Sequence, residues 1–114
     1  MVVEKGEKIH VMIRRKFETD LRRHFIGEIT AVSGTLVRVE GHSYLLDTLT
    51  NQYIRKQHKR SRIIGLGDSG NIVSVLPSNA VLENVTYTQS EQNCLVVTDG
   101  KTFSLDVNEF STMR

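Results

Sequence analysis

The sequence predicts an all-β protein, and three features carry that prediction. Apolar residues recur mostly at every second position, the period of a half-buried strand. Turn-forming pairs and clusters punctuate the apolar runs. The runs themselves return about every ten residues, the rhythm of a twisted sheet closed into a barrel or folded as a sandwich. No internal repeat, low-complexity tract or linker divides the 114 residues, so 1–114 reads as a single domain long enough for one hydrophobic core.

Each element follows from its local pattern. Ile9, Val11 and Ile13 alternate with His10, Met12 and Arg14, which predicts a first strand. In residues 16–25, Phe17, Leu21 and Phe25 recur at spacing four, an apolar stripe so narrow that a single helical turn and a wide loop are both compatible. Residues 25–32 and 35–39 are rich in β-branched and aromatic side chains and are parted by Ser33-Gly34, a two-residue hairpin signal. Residues 43–48 and 52–56 flank a Leu-Thr-Asn turn. The segment 51–60 reads as a strand followed by an exposed loop, because Tyr53 and Ile54 are neighbours and make no helical face. Residues 62–66 and 71–76 flank Gly67-Asp68-Ser69-Gly70, and Pro77 stops that run. Further strands are expected over 81–88, 94–98 and 102–107, the last two joined by Asp99-Gly100, the strongest hairpin pair in the chain.

Charge is distributed unevenly. The whole sums to +2, yet residues 1–62 carry thirteen Lys/Arg against seven Asp/Glu, a net +6, while residues 63–114 sum to −4. A basic half of this kind condenses on polyanions, and single-stranded RNA or DNA is the expected partner. Arg55, Lys56, Lys59, Arg60 and Arg62 fall within eight residues that hold no acid, and they are the candidate phosphate ligands. Tyr53, just upstream, is the candidate ring for base stacking. Arg14, Arg15, Arg22 and Arg23 form a second basic group. A charged loop also keeps a hairpin soluble and blocks edge pairing, which is the competing explanation of the 55–62 run.

Catalysis and metal binding find little support. Residues 65–70 match Gly-x-Gly-x-x-Gly, but a dinucleotide site needs a helix after the glycines, and Asn71 to Pro77 is an alternating β-branched run. Gly67-Asp68-Ser69-Gly70 resembles the nucleophile segment of trypsin-like proteases, whose double barrel needs about twice this length. A Gly/Asp/Ser-rich turn is the reading adopted. His10, His24, His42 and His58 show no ligand-like spacing, and no two carboxylates are fixed by spacing as acid and base. The chain is read as non-enzymatic, with no catalytic residues, metal or cofactor. Cys94 is alone, so no internal disulfide forms, and its Cys-Leu-Val-Val setting suits a buried inert thiol. With no signal-peptide core and no apolar run of membrane-spanning length, the expected location is cytoplasmic.

Gly27-Glu-Ile-Thr-Ala-Val-Ser33, then Leu36-Val-Arg-Val39, and later Ser69-Gly70-Asn71-Ile72-Val73-Ser74-Val75 resemble the two-part signature of Sm-like proteins. The resemblance covers roughly residues 7–80. It implies a small, strongly bent antiparallel barrel of SH3-like form, assembly into a homo-oligomeric ring, and binding of single-stranded RNA. It also implies that Gly27 permits strand bending and that Gly70 shapes the turn into a later strand. The loop after Ser33 lacks the family's Met-Asn element, and Ser69 stands where the family carries Arg, so binding is expected to tolerate many sequences. Residues 81–114 lie outside the resemblance as an added C-terminal hairpin. The combined expectation is a basic β-barrel that binds nucleic acid as a homo-oligomer. The alternative is an interaction module that self-assembles through its complementary basic and acidic halves, without nucleic acid.

Overall fold

The structure, a computed structural model, describes residues 2–15, 17, 19–67, 70–92 and 94–107. It is all-β, with antiparallel sheets of six and three strands. The chain forms two compact units, residues 1–78 and 79–114. No helix among the described residues is long and apolar enough to cross a membrane.

The first unit contains β1 (Lys8–Ile13), β2 (Arg23–Ser33), β3 (Leu36–Asp47), β4 (Gln52–Arg55), β5 (Arg60–Gly65) and β6 (Ile72–Val75). Its strands lie in the order β4-β3-β2-β1-β6, and β5 pairs with the first half of β3 while β4 pairs with the second. The alternation of β1 places Ile9 and Val11 in a core with Val3, Phe25, Ile29, Val37, Val39 and Ile64, against which Ile13, Val32, Leu66 and Val73 pack. The Ser33-Gly34 signal is the β2–β3 turn, with Gly34 at φ 59°. An irregularity between Ile29 and Ala31 leaves Thr30 out of the ladder, and its hydroxyl donates to the Arg38 carbonyl at 3.3 Å.

Two runs expected to be separate strands, 35–39 and 43–48, are one twelve-residue strand. They look separate in sequence because the buried side changes midway. Val37 and Val39 are buried at odd positions, whereas Tyr44 and Leu46 are buried at even ones. Gly41 lies at the changeover, directly opposite Gly27. A Cβ on Gly27 would lie 2.8 Å from the Glu40 carbonyl carbon, and one on Gly41 would lie 2.6 Å from Gly27 Cα. The two strands come this close only because both residues lack side chains.

Residues 16–25 form no helix among those described: a loop leads directly into β2, and the Asp20 amide donates to the Phe17 carbonyl at 3.0 Å. The runs on either side of Gly67-Gly70 do not pair with each other. β5 pairs with β3, and β6 crosses to β1, where Val73 faces Val11 and joins the core margin. No ladder joins β5 to β6, so the expected barrel does not close as a hydrogen-bonded ring among the described residues. The physical reason is that β5 makes its ladder with β3, ending opposite Leu36, whereas β6 makes its ladder with β1.

The second unit contains β7 (Thr86–Gln89), β8 (Leu95–Thr98) and β9 (Ser104–Asp106), in that order. The expected strand over 81–88 begins instead with a 3-10 turn at Leu82–Asn84, closed by the Asn84 amide on the Val81 carbonyl at 3.0 Å. Asp99-Gly100 opens the β8–β9 turn, with Gly100 at φ 86°. Cys94 is half-buried rather than buried. Buried Asp99 organises the turn: its carboxylate accepts from the amides of Val81 (3.0 Å), Lys101 (3.0 Å) and Thr102 (2.7 Å) and from the Thr102 hydroxyl. Those donors hold its carboxyl well below the usual carboxylate range, with the Thr102 side chain the largest cause. A folded pKa below the unfolded one means the contribution is present above the ordinary Asp range and fades as pH falls through the folded value. Asp99→Ala is expected to speed amide hydrogen exchange at Val81, Lys101 and Thr102 and to lower the midpoint of urea unfolding. Unchanged exchange at those three amides would refute the anchoring role.

Candidate nucleic-acid interface

Directly paired residues of an antiparallel ladder point to the same side of the sheet, so the registers sort the basic side chains. Arg55 pairs with Tyr44, which pairs with His24, putting all three on one side. Arg22, one residue before β2 and alternating with Arg23, falls on that side by the same count. Arg60 and Arg62 pair with Gly41 and Val39, on the other side, as does Arg23 with Leu45. Lys56 and Lys59 lie in the loop between β4 and β5, where the chain passes from one half of β3 to the other. The Lys56 amide donates to the Ser43 carbonyl at 2.8 Å, which holds this loop against the middle of β3. The structure therefore places Arg55, Lys56, Lys59 and Arg60 beside residues 40–44 of β3, with Arg55 and Arg60 on opposite sides by register, and does not put all ten sequence-selected residues on one side.

Local contacts refine each role. Arg55, Lys56, Lys59, Arg60 and Arg62 are all exposed. Lys59 Nζ lies 3.4 Å from the Glu40 carboxylate, with both side chains more than half exposed, so this pair is weak and competes with any phosphate. Half-buried His42 sits beneath the cluster; burial first, then the charges of Arg55 and Lys59, lower its pKa. Arg55 donates to the Tyr44 hydroxyl, while burial, the larger effect, raises the Tyr44 pKa. Arg55 thus acts on two side chains of β3, His42 and Tyr44, and Lys59 on His42.

Tyr53 is half-buried and already engaged. Its ring stacks on His24 with centroids 4.6 Å apart and planes 28° apart. His24 in turn meets His10 edge-on at 4.8 Å, with His10 Nε2 and His24 Nδ1 3.2 Å apart, one donating and the other accepting. Three rings therefore run across β1, β2 and β4, leaning together over β3. Both imidazoles are 1% exposed. Burial, then the neighbouring His24, lowers the His10 pKa from 6.5 to about 3, so His10 is neutral near pH 7.

Sequence reasoning missed this ring stack. The β1 alternation set His10 opposite Ile9 and Val11 without saying what covers it, and spacing alone gave the histidines no reason to meet. One signal was available: His24-Phe25-Ile26-Gly27 contains no charged residue, and all four are buried, as in a strand covered on both sides. Among the described residues, no group of three or more His, Cys, Asp and Glu is placed to hold a metal ion.

The second basic group sits at the end of the β1–β2 hairpin, where Ile13 pairs with Arg23. Arg14 and Arg23 are exposed, and Arg15 and Arg22 are half-buried. The Arg14 stem lies over Gly70, whose φ is 92°, and a Cβ there would lie 2.7 Å from Arg14 Cβ. No protein-family model, curated protein or solved structure matches this chain.

Proposed function

We propose that the six-stranded unit is a non-catalytic module that grips single-stranded RNA or DNA through its phosphates. The observation that carries this reading is where the charge falls relative to the fold. Residues 1–78 hold thirteen Lys/Arg against eight Asp/Glu, a net +5, and residues 79–114 hold two against five, a net −3. The positive excess thus belongs to one folded body. Within it, Arg55, Lys56, Lys59 and Arg60 border the middle of β3, with Arg62 further along β5. Tyr53 braces the site through His24, and affinity rests on phosphates, consistent with sequence-tolerant binding. In this reading the six strands are a bent, Sm-like or SH3-like half-barrel whose open edges join copies of the chain.

With about five phosphates neutralised, log affinity for a single strand should fall against log salt with a slope near −3.5, about 0.7 per phosphate. Filter binding of a labelled oligonucleotide measures it, and Arg60→Glu should abolish capture. Glu40→Gln frees Lys59 and should tighten binding by up to about fivefold, the equivalent of a surface ion pair. A salt-independent affinity, or no capture at all, would remove the proposal.

The second reading, self-association without nucleic acid, draws on a different feature. The outer edge of β6 has no strand partner among the described residues. Beside it Val2, Val3, Leu66, Asn71, Val73 and Val75 line a mostly apolar groove of about 360 Å³. Absent capture combined with a mass in solution above that of one chain would favour this reading.

A further inference from the structure

We infer that the second basic group is not a continuation of the phosphate track but an end site, a pocket for a terminal phosphate monoester. This deepens the nucleic-acid reading and rests on it. Ile13, Arg14, Arg15, Asp20, Leu21 and Arg23 line an open cavity of about 270 Å³ at the tip of the β1–β2 hairpin. That volume is below the usual range for a small-molecule site and suits a phosphate with part of its sugar.

Three features select a chain end over a passing backbone. Among the described lining residues, Arg14, Arg15 and Arg23 stand against Asp20 alone, a sum of +2. A backbone diester carries one negative charge, whereas a monoester carries nearly two at neutral pH. The carboxylate also serves the loop backbone: Asp20 Oδ2 accepts from the Phe17 amide at 3.2 Å. Arginine presents paired N–H donors in a planar fork that matches phosphate oxygens, and a monoester leaves three oxygens available to several forks at once.

The cavity is also braced. Arg23 is fixed at the start of β2 by its pairing with both Ile13 and Leu45. Arg14 rests along Gly70 in a space that any side chain there would fill. Ile13 and Leu21 supply an apolar wall against which the terminal sugar can lie. With one end held here, the rest of the strand is left to the phosphate-binding residues of the same unit, so the end pocket sets where a bound strand begins.

Fluorescence anisotropy on the full chain tests this with four strands of ~10 nucleotides, within the length that small β modules bind. One strand has hydroxyls at both ends, one a 5′-phosphate, one a 3′-phosphate, and the fourth is a nucleotide longer with hydroxyl ends to control for added charge. One phosphorylated end should bind about tenfold more tightly than the longer hydroxyl-ended strand, about one charge-assisted contact. Arg14→Gln and Arg23→Gln should each reduce that preference to under about twofold, while Arg60→Gln weakens all four strands alike. Thermal melts of the variants establish that they remain folded. Equal affinity for all four strands, or a preference that survives both pocket variants, would overturn the end site while leaving the polyanion reading standing. Failure to bind any strand would overturn both.

Discussion

Gly41→Ala should destabilise the first unit by about 3 kcal/mol or more, the upper range for forcing atoms into a packed interior. A Cβ at this position meets the Ile26 carbonyl oxygen in direct collision and stands 2.8 Å from the Ile26 carbonyl carbon. Neither is the end of a flexible side chain, so relief requires β2 and β3 to separate where their ladder is most extensive. A unit of 78 residues is held by only about 4–12 kcal/mol, so the loss is a large share of the total. Gly27→Ala meets the Glu40 backbone from the opposite strand and should cost a similar amount. Gly67→Ala, which meets nothing within 4 Å, is the control and should stay within about 0.5 kcal/mol. Urea unfolding followed by circular dichroism measures all three, and a Gly41→Ala protein as stable as the Gly67→Ala control would disprove the close approach.

The second large effect concerns acid. His10 is neutral when folded, with a pKa of about 3, but binds a proton near 6.5 when unfolded. The unfolded chain therefore takes up more protons across that window, and stability rises with pH. Its contribution is complete above about pH 7 and is lost as pH falls from 6.5 toward 3, by about 1.4 kcal/mol per pH unit for this one group. His10→Gln keeps a group able to hydrogen-bond to His24 and removes the titration. Its unfolding free energy should fall less steeply between pH 6.5 and 4.5, by close to one proton in the linkage slope. Identical slopes in the two proteins would show that His10 does not sense the acid limb.

Much of the fold could be read from the letters because most apolar positions obey a period of two and most turns use Gly or Asn/Asp-Gly chemistry. Ile9-Val11-Ile13, the Ser33-Gly34 hairpin and the Asp99-Gly100 turn all rest on interactions between residues near in sequence. The harder elements rest on distant ones. β3 appears as two runs because its buried side changes at Gly41, a change set by Gly27 on another strand. Residues 82–84 form a 3-10 turn because Val81 is tied to Asp99, eighteen residues away. The site shows the same division. The basic residues are plain in sequence, but which side each faces depends on register: Arg55 follows Tyr44, and Arg60 follows Gly41. Burial of His10 and capture of the Tyr53 ring by His24 come from strand pairing and leave almost no local trace.

The pairing of β1 with β6 joins Ile9 to Val75, so one flank of the first strand stays unsealed while most of the unit emerges from the ribosome. At typical elongation rates of about 5–20 residues per second, that interval lasts roughly 3–13 s. Throughout it the nascent chain presents a bare hydrogen-bonding rim beside Ile9 and Val11, the kind of surface on which neighbouring chains aggregate. Crowded polysomes and fast overexpression thus penalise this topology more than the native stability of the finished protein would suggest.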